Sequence, residues 1–180
     1  MKIAIVKLSS LGDIIHSMVA LQFIKKYHPE SEIDWVVEEK YKGLLTNNPH
    51  LNAIHTVCLK EIKSWPLLLN EIRKIKSFGP YDVVIDAQGL IKSSVISRLI
   101  KCKKRVGFDR RSIRESLATF LYTDKVYIDY SKNTIDRMVE LICFPIGVKV
   151  SRDQIINKSL FIHTSSRVKV PKSPYIVFVM

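Results

Sequence analysis

Residues 2–24, KIAIVKLSSLGDIIHSMVALQFI, contain a strand, a loop and a helix in that order, and the rest of the chain repeats this pattern. Residues 3–6 are a short continuous apolar run, which is typical of a strand covered on both faces. Residues 7–12 are polar and predict a loop. A helix that ends before Pro29 is then predicted from four apolar residues at helical spacing: Ile14, Met18, Leu21 and Ile24.

The alternation of strand and helix patterns continues to residue 144. Further strand patterns lie at residues 33–37, 53–58, 82–86, 105–108 and 126–128. Helical patterns separate or follow them at residues 41–45, 68–75, 90–100, 112–122 and 132–144. Strands that alternate with helices are joined by right-handed crossovers, so the sequence predicts an α/β fold with a doubly wound, mostly parallel, Rossmann-like sheet.

Length and composition indicate one domain with a single sizeable core. The chain has 180 residues, of which 47% are hydrophobic. No apolar stretch is long enough to span a bilayer, and Lys7 and Asp13 interrupt the N-terminal apolar run, which argues against a secretory signal. We therefore expect a cytoplasmic location. The three cysteines form no CxxC pair and the five histidines have no ligand spacing, so we expect no metal.

The C-terminal segment differs from the rest of the chain. Residues 163–174 are polar and contain Pro171 and Pro174, which is typical of an interdomain linker. Residues 175–180, YIVFVM, have the pattern of another buried strand. We expect residues 1–162 to form one domain and residues 175–180 to be the first strand of a second, truncated α/β domain. The alternative is that this strand completes the first sheet.

The formal net charge of +12 favours an anionic partner, namely nucleic acid, an anionic membrane surface or a phosphorylated ligand. A solvated basic surface is the alternative. No helix-turn-helix, RRM or zinc pattern is present, and aromatic residues are not interleaved as in a stacking platform, so we expect no nucleic acid. The cations are concentrated in one short stretch: Arg98, Lys101, Lys103, Lys104, Arg105, Arg110, Arg111 and Arg114.

The loop after the first strand is a candidate ligand site. Ligands of open α/β sheets bind beyond the carboxyl ends of the strands, and the following helix offers free N–H groups there. The loop lacks a G-x-G-x-x-G or Walker A pattern, so a nicotinamide or ATP cofactor is not indicated. Asp13 begins the helix. It fits a helix cap that contributes about 1 kcal/mol, or a general base for a hydroxyl within about 3 Å.

The loop after the strand at residues 82–86 has the same strand-to-helix position. Gly89 permits close approach of the backbone to a ligand. Lys92 falls in the first helical turn, where the helix dipole disfavours a cation. That placement fits either a bound anion or a solvated lysine. The residues alone also leave open a non-catalytic, flavodoxin-like module that binds a nucleotide or nucleic acid, although a phosphate loop is missing.

Four segments resemble one enzyme family, the lipopolysaccharide heptosyltransferases of type I. They are residues 1–13, 33–39 (IDWVVEE), 81–93 (YDVVIDAQGLIKS) and 114–118 (RESLA). They occur in the family's order, and the resemblance covers most of residues 1–144. The WVVEE and DAQGL patterns are similar to type I and differ from type II.

This resemblance implies a two-domain glycosyltransferase of the B architecture. Its N-terminal domain would bind the acceptor, Kdo-lipid A, and its C-terminal domain the donor, ADP-L-glycero-D-manno-heptose. The enzyme would transfer heptose with inversion to a Kdo residue of the lipopolysaccharide inner core. Residues 1–180 would be the acceptor-binding half, which we expect to be inactive alone. The anionic acceptor also implies a peripheral location on the cytoplasmic face of the inner membrane.

The resemblance also implies roles for individual residues. Asp13 aligns with the family's catalytic base, and Ser10 and Gly12 with the loop that shapes the acceptor site. Lys92, Arg114 and Arg137 fall on positions associated with the anionic acceptor. Two further lysines, Lys60 and Lys63, lie where the family has a mobile basic loop. That loop is shorter here, which leaves their role open.

Overall fold

The computed structural model describes residues 1–163, with the side chain of Lys60 left out. Within that range the chain forms a six-stranded sheet in which every neighbouring pair is parallel. The order across the sheet is β3-β2-β1-β4-β5-β6. The strands are β1 (Lys2–Val6), β2 (Glu32–Glu38), β3 (Ala53–Val57), β4 (Tyr81–Asp86), β5 (Cys102–Phe108) and β6 (Asp124–Val126). The predicted doubly wound, Rossmann-like sheet is confirmed.

Residues 1–163 contain five α-helices. They are α1 (Leu11–Tyr27), α2 (Trp65–Lys76), α3 (Ile91–Leu99), α4 (Thr134–Cys143) and α5 (Arg152–Ile156). Short 3-10 helices occur at Glu39–Leu44, Leu59–Glu61, Ser116–Leu121 and Phe144–Ile146. The sequence patterns predicted the first four α-helices, whereas α5 was not predicted.

The two faces of the sheet have separate cores. Ile3 and Ile5 point to the face that α1 and α4 cover, whereas Ala4 and Val6 point to the face that α2 and α3 cover. All four side chains are fully buried. This double coverage explains the continuous apolar run in β1, because neither face of the strand meets water.

The strand order reverses direction next to β1. From β1 the chain builds outward through β2 and β3, and then returns to place β4 on the other side of β1. The loops that follow β1 and β4 therefore diverge to opposite faces and leave a crevice between them. Such a switch point is where open α/β sheets bind ligands.

The predicted strand 105–108 begins earlier, at Cys102, and the predicted helix 41–45 is a 3-10 helix at Glu39–Leu44. Two further predicted elements, one helix and one strand, differ more from the structure. The predicted helix over residues 112–122 is a 3-10 helix over Ser116–Leu121 only, because the Asp109 carboxylate accepts from the backbone N–H and the hydroxyl of Ser112 and forms a turn. The predicted strand 126–128 ends at Val126, since the Ile128 N–H donates to the Ser112 hydroxyl instead of to a strand. The predicted linker and second-domain strand, beyond residue 163, lie outside the described residues.

Gly107 leaves room for a tyrosine that crosses β5. An added Cβ would lie 2.3 Å from the Tyr122 ring. The ring is buried, and its hydroxyl donates to Oδ2 of Asp86 at 2.7 Å. Gly107 and Asp86 are register partners on β5 and β4. The missing side chain therefore lets a residue beyond β5 reach a carboxylate at the centre of the sheet.

We predict that Gly107→Ala lowers the free energy of unfolding by about 1–3 kcal/mol, because the Tyr122 ring has to move. Urea denaturation measures this. The matched control is Gly43→Ala, where an added Cβ meets no atom of the described residues within 4 Å, and the expected change there is below about 0.5 kcal/mol. Equal effects of the two variants would show that the Tyr122 contact does not constrain the sheet.

A buried polar cluster joins β2, β3 and β4 on the α2 side of the sheet. Oδ2 of Asp34 accepts a hydrogen bond of 2.6 Å from the Tyr81 hydroxyl and lies 3.4 Å from Nε2 of His55. The His55 ring stacks on Phe78 at a centroid distance of 4.2 Å. Burial opposes ionisation of Asp34, but the hydrogen bonds from His55 and Tyr81 hold its pKa below the ordinary value.

We predict that Asp34 makes the fold acid-sensitive. A carboxylate whose pKa is lowered by folding stabilises the native state above its unfolded pKa, and this contribution is lost as pH falls through the folded pKa. The free-energy difference between wild type and Asp34→Asn should therefore shrink below about pH 4. Urea denaturation between about pH 3 and pH 7 tests this. Glu30→Gln, with a side chain 68% exposed, is the control, and a difference independent of pH would contradict the prediction.

Candidate functional site

Asp13 lies at the third position of α1, one turn after the N-cap residue Ser10. Its Oδ2 accepts from the Ser10 backbone N–H at 3.3 Å and from the Ser10 hydroxyl at 3.2 Å. No hydrogen bond within residues 1–163 reaches Oδ1. The side chain is 43% exposed. One oxygen of the carboxylate therefore contributes to the helix start while the other is available to a ligand, so the two predicted roles are compatible.

Gly12 leaves open space in front of the same turn. An added Cβ there would meet no atom of the described residues within 4 Å. Packing of this part of the chain therefore does not require the glycine. Ser10 is exposed and belongs to the same loop.

Lys7 is a buried cation behind Asp13. It directly follows β1, and its side chain is only 5% exposed. Its Nζ lies 4.0 Å from Oδ2 of Asp13. Burial lowers the pKa of Lys7, the carboxylates of Asp13 and Asp86 oppose this shift, and Arg137 adds to it. Lys7 therefore lies within electrostatic range of Asp13, Asp86 and Arg137 at the end of β1.

Asp86 and Gln88 hold the crevice in shape. Asp86 is fully buried, and its carboxylate accepts from Tyr122 and Ser93 side chains and from the backbone N–H groups of Gln88 and Gly89. Burial raises its pKa despite these hydrogen bonds. Oε1 of Gln88 accepts from the N–H groups of Leu8 and Ser9, both at 3.1 Å. The β4 loop thus positions the loop that leads to Asp13.

Lys92 is in the first turn of α3, as predicted, and it has an anionic partner within the chain. Its Nζ lies 2.9 Å from Oε1 of Glu38 at the end of β2. The Glu38 backbone N–H donates to the Leu8 carbonyl, so this pair lies beside the first loop. The Lys92 side chain remains 42% exposed. An internal carboxylate therefore accounts for a cation placed against the helix dipole.

Arg137 lies near the start of α4, and its guanidinium group packs against two aromatic rings. Its guanidinium lies 4.1 Å from the Tyr130 ring centroid and 5.2 Å from that of Phe108. Its Nη2 donates to the Ser112 carbonyl at 2.7 Å. Its buried Nε has no hydrogen-bond partner within residues 1–163. Stacking fixes this cation in a conformation that suits bidentate binding of a carboxylate or phosphate.

Arg114 is exposed next to the start of α3. The neighbouring Glu115 accepts a hydrogen bond of 2.7 Å from the Ile91 N–H, the first residue of that helix. The carboxyl edge of the sheet thus carries Asp13, Lys92, Arg114 and Arg137. Of these four, Asp13 and Arg137 both act on the pKa of Lys7, in opposite directions.

The basic stretch at residues 98–114 is not one surface. β5 runs through it and separates its two ends. At the amino end, Lys103 pairs with Asp82 at 2.7 Å and Lys104 with Asp124 at 3.3 Å. Arg105 is buried and donates to the carbonyls of Ser97 and Ile100. Only the cations after β5 lie at the edge that contains Asp13.

Sequence reasoning did not select Lys7, Glu38, Asp86 or Gln88 as site residues. The signal for Lys7 and Asp86 was a charge directly at the end of a strand buried on both faces. Glu38 and Gln88 carried no local signal, because their partners are distant in the sequence.

Neither a metal-binding cluster nor a membrane-spanning helix is found within residues 1–163. No group of three His, Cys, Asp or Glu side chains in this range could hold a metal ion. None of its helices combines the length and apolar composition needed to cross a bilayer. The expectation that this chain uses no metal or cofactor stays a prediction.

Comparison with known protein families shows to which family the chain belongs. The profile of glycosyltransferase family 9 (heptosyltransferase) matches residues 72–180. The chain belongs to this family. Lipopolysaccharide heptosyltransferase 1 of Campylobacter coli is 44% identical over 147 residues, which are 80% of this chain and 41% of that protein. The Pseudomonas aeruginosa enzyme of the same name is 31% identical over 99% of this chain and 51% of its own length.

A solved structure of this heptosyltransferase family shares the fold. E. coli heptosyltransferase WaaC with ADP-2-deoxy-2-fluoro heptose superimposes with a TM-score of 0.78 at 30% identity, covering 84% of this chain and 50% of that one. The family resemblance predicted from the sequence is confirmed. The chain spans about half the length of the curated relatives it matches.

Proposed function

We propose that this chain is the acceptor-binding half of an inverting heptosyltransferase, with Asp13 as its general base. The donor would be ADP-L-glycero-D-manno-heptose and the acceptor a Kdo residue of Kdo-lipid A. The observation that carries the proposal is the Asp13 carboxylate, which is held through Oδ2 at the switch point of the sheet while Oδ1 is free of hydrogen bonds from residues 1–163. Membership of a transferase family favours an enzyme over a binding module.

The proposed reaction is a single displacement. Oδ1 of Asp13 takes the proton of an acceptor hydroxyl while the hydroxyl oxygen forms a bond to the anomeric carbon of heptose. The bond from that carbon to ADP breaks, and ADP leaves with the electron pair. Attack from the opposite side inverts the anomeric configuration, as in inverting glycosidases. Asp13 then returns its proton to solvent.

The cations fit an anionic acceptor. Kdo carries a carboxylate and lipid A carries phosphates, and guanidinium groups bind both in bidentate geometry. Arg137 is held by two aromatic rings and by the Ser112 carbonyl, so its guanidinium is presented to a ligand in a fixed orientation. Arg114 is exposed and suits a more distant phosphate. Lys92 would contribute a charge that it now shares with Glu38.

We predict that the full-length protein converts ADP-heptose and Kdo-lipid A to ADP and a product heavier by one heptose. Asp13→Asn should lower kcat by about 10² to 10⁴, because the amide cannot accept the proton. The thermal midpoint should change little. Asp153→Asn, a first-turn acid of α5, is the control and should keep wild-type kcat. If the Asp13→Asn variant kept wild-type turnover, the Asp13 carboxylate would not be the general base and its role would be to cap the helix.

We also propose a peripheral location on the cytoplasmic face of the inner membrane. Exposed apolar side chains lie on α3 and on the adjacent 3-10 helix Ser116–Leu121, which pack against each other. The side chains, which we call the α3 ridge, are Ile91, Val95, Leu117 and Phe120, and they are 43%, 44%, 64% and 78% exposed. Arg98 and Arg114 are exposed beside them. Apolar side chains flanked by cations suit an anionic lipid surface.

Co-sedimentation with phosphatidylglycerol vesicles tests this surface. We predict that Leu117→Ser/Phe120→Ser weakens binding about tenfold or more, because each apolar side chain loses its burial in lipid. Wild-type binding should weaken at high salt and on phosphatidylcholine vesicles. The control is Phe144→Ser, an exposed aromatic residue (61%) that follows α4 on the other face of the sheet. Equal losses in both variants would argue against the α3 ridge.

A further inference from the structure

The Lys7 ammonium is buried at a fixed point of the sheet. Its backbone N–H donates to the Val36 carbonyl at 3.1 Å, and its carbonyl accepts from Nε1 of the buried Trp35 at 3.1 Å. The residue is 4% exposed overall. Lysine is rarely buried to this extent without a compensating partner, because its charge loses the hydration of bulk water. The backbone from which this side chain projects is therefore fixed by hydrogen bonds to β2.

Two carboxylates, those of Asp13 and Asp86, oppose the effect of burial on the pKa of Lys7, and their surroundings differ. Asp86 is fully buried and already accepts four hydrogen bonds, from Tyr122, Ser93, Gln88 and Gly89. Asp13 is 43% exposed, and its pairing with Lys7 uses the same oxygen, Oδ2, that Ser10 binds. Lys7 and Ser10 thus both act on Oδ2, whereas no hydrogen bond from residues 1–163 reaches Oδ1.

We propose that Lys7 is a positioning residue for Asp13, whose buried ammonium holds Oδ2 so that Oδ1 faces the acceptor hydroxyl. This inference rests on the proposed function of Asp13 as a base. Lys7 does not contact the substrate in this scheme. Ser10, the other partner of Oδ2, is exposed and belongs to a loop. Lys7 instead connects the carboxylate to the centre of the sheet, and this connection reduces the range of orientations that the base samples.

Replacement of Lys7 by methionine separates this role from a structural one. Methionine has a similar length and no charge. The substitution therefore removes the ion pair and also the free-energy cost of burying the lysine charge. Asp13 can be solvated in its place, and Asp86 keeps its four hydrogen bonds. The thermal midpoint of Lys7→Met should therefore stay close to that of wild type. A loss of turnover in this variant would then reflect the orientation of Asp13.

The test is a double-mutant cycle in the full-length protein with ADP-heptose and Kdo-lipid A. Lys7→Met should lower kcat by about 10- to 100-fold, the effect of misplacing a reacting group by about 1 Å, with KM for the acceptor nearly unchanged. In the Asp13→Asn background the same substitution should change kcat by less than about threefold, because the group that Lys7 positions is gone. Lys103→Met, an 82% exposed lysine paired with Asp82, should behave as wild type.

Three results would overturn the inference. Wild-type kcat in Lys7→Met, with Asp13→Asn inactive, would remove Lys7 from catalysis and leave the base intact. A raised KM with unchanged kcat would show that Lys7 binds the acceptor directly. An equal loss in both backgrounds would show that it acts independently of Asp13. An active Asp13→Asn enzyme is a different result, because it contradicts the proposed function itself.

Discussion

Coverage of β1 and β4 on both faces is the constraint from which the site follows. A charge within the central part of either strand would be buried in one of the two cores, so the residues from Ile3 to Val6 and from Val83 to Ile85 are all apolar and charges flank them. At the carboxyl ends of the strands these charges are Lys7 and Asp86. Lys7 and Asp86 occupy those positions on neighbouring strands. The parallel arrangement brings both to the same edge of the sheet, where the crossover connections diverge.

The hydrogen bonds at this edge connect the two loops. Gln88, from the β4 loop, binds two consecutive N–H groups of the β1 loop, and Tyr122 reaches across Gly107 to Asp86. Asp13 is therefore supported by elements from both halves of the sheet. Such support explains how a residue in an exposed first turn can have a defined orientation.

Hydrophobic periodicity predicted the helices and strands whose regularly spaced apolar side chains are buried in the two cores. β1, α1, β2, β4 and α3 were predicted within a few residues of their observed bounds. The errors occurred where side chains compete with backbone pairing. Asp109 and Ser112 form a turn where a helix was predicted. The Ser112 carbonyl accepts a hydrogen bond from the side chain of Arg137, which lies 25 residues further along the chain on α4. The short α5 has too few residues to show a period.

The amino-acid sequence was sufficient for the order of strands and helices, the parallel sheet, the family and the place of Asp13 at the start of a helix. These are local properties, because they depend on the spacing of residues that are close to one another in the sequence. The partners of the charged groups were accessible only from the folded chain. Lys92 and Glu38 are 54 residues apart, and Gln88 lies 80 residues from Leu8. Strand order brings such residues together, just as β5 separates cations that are adjacent in sequence.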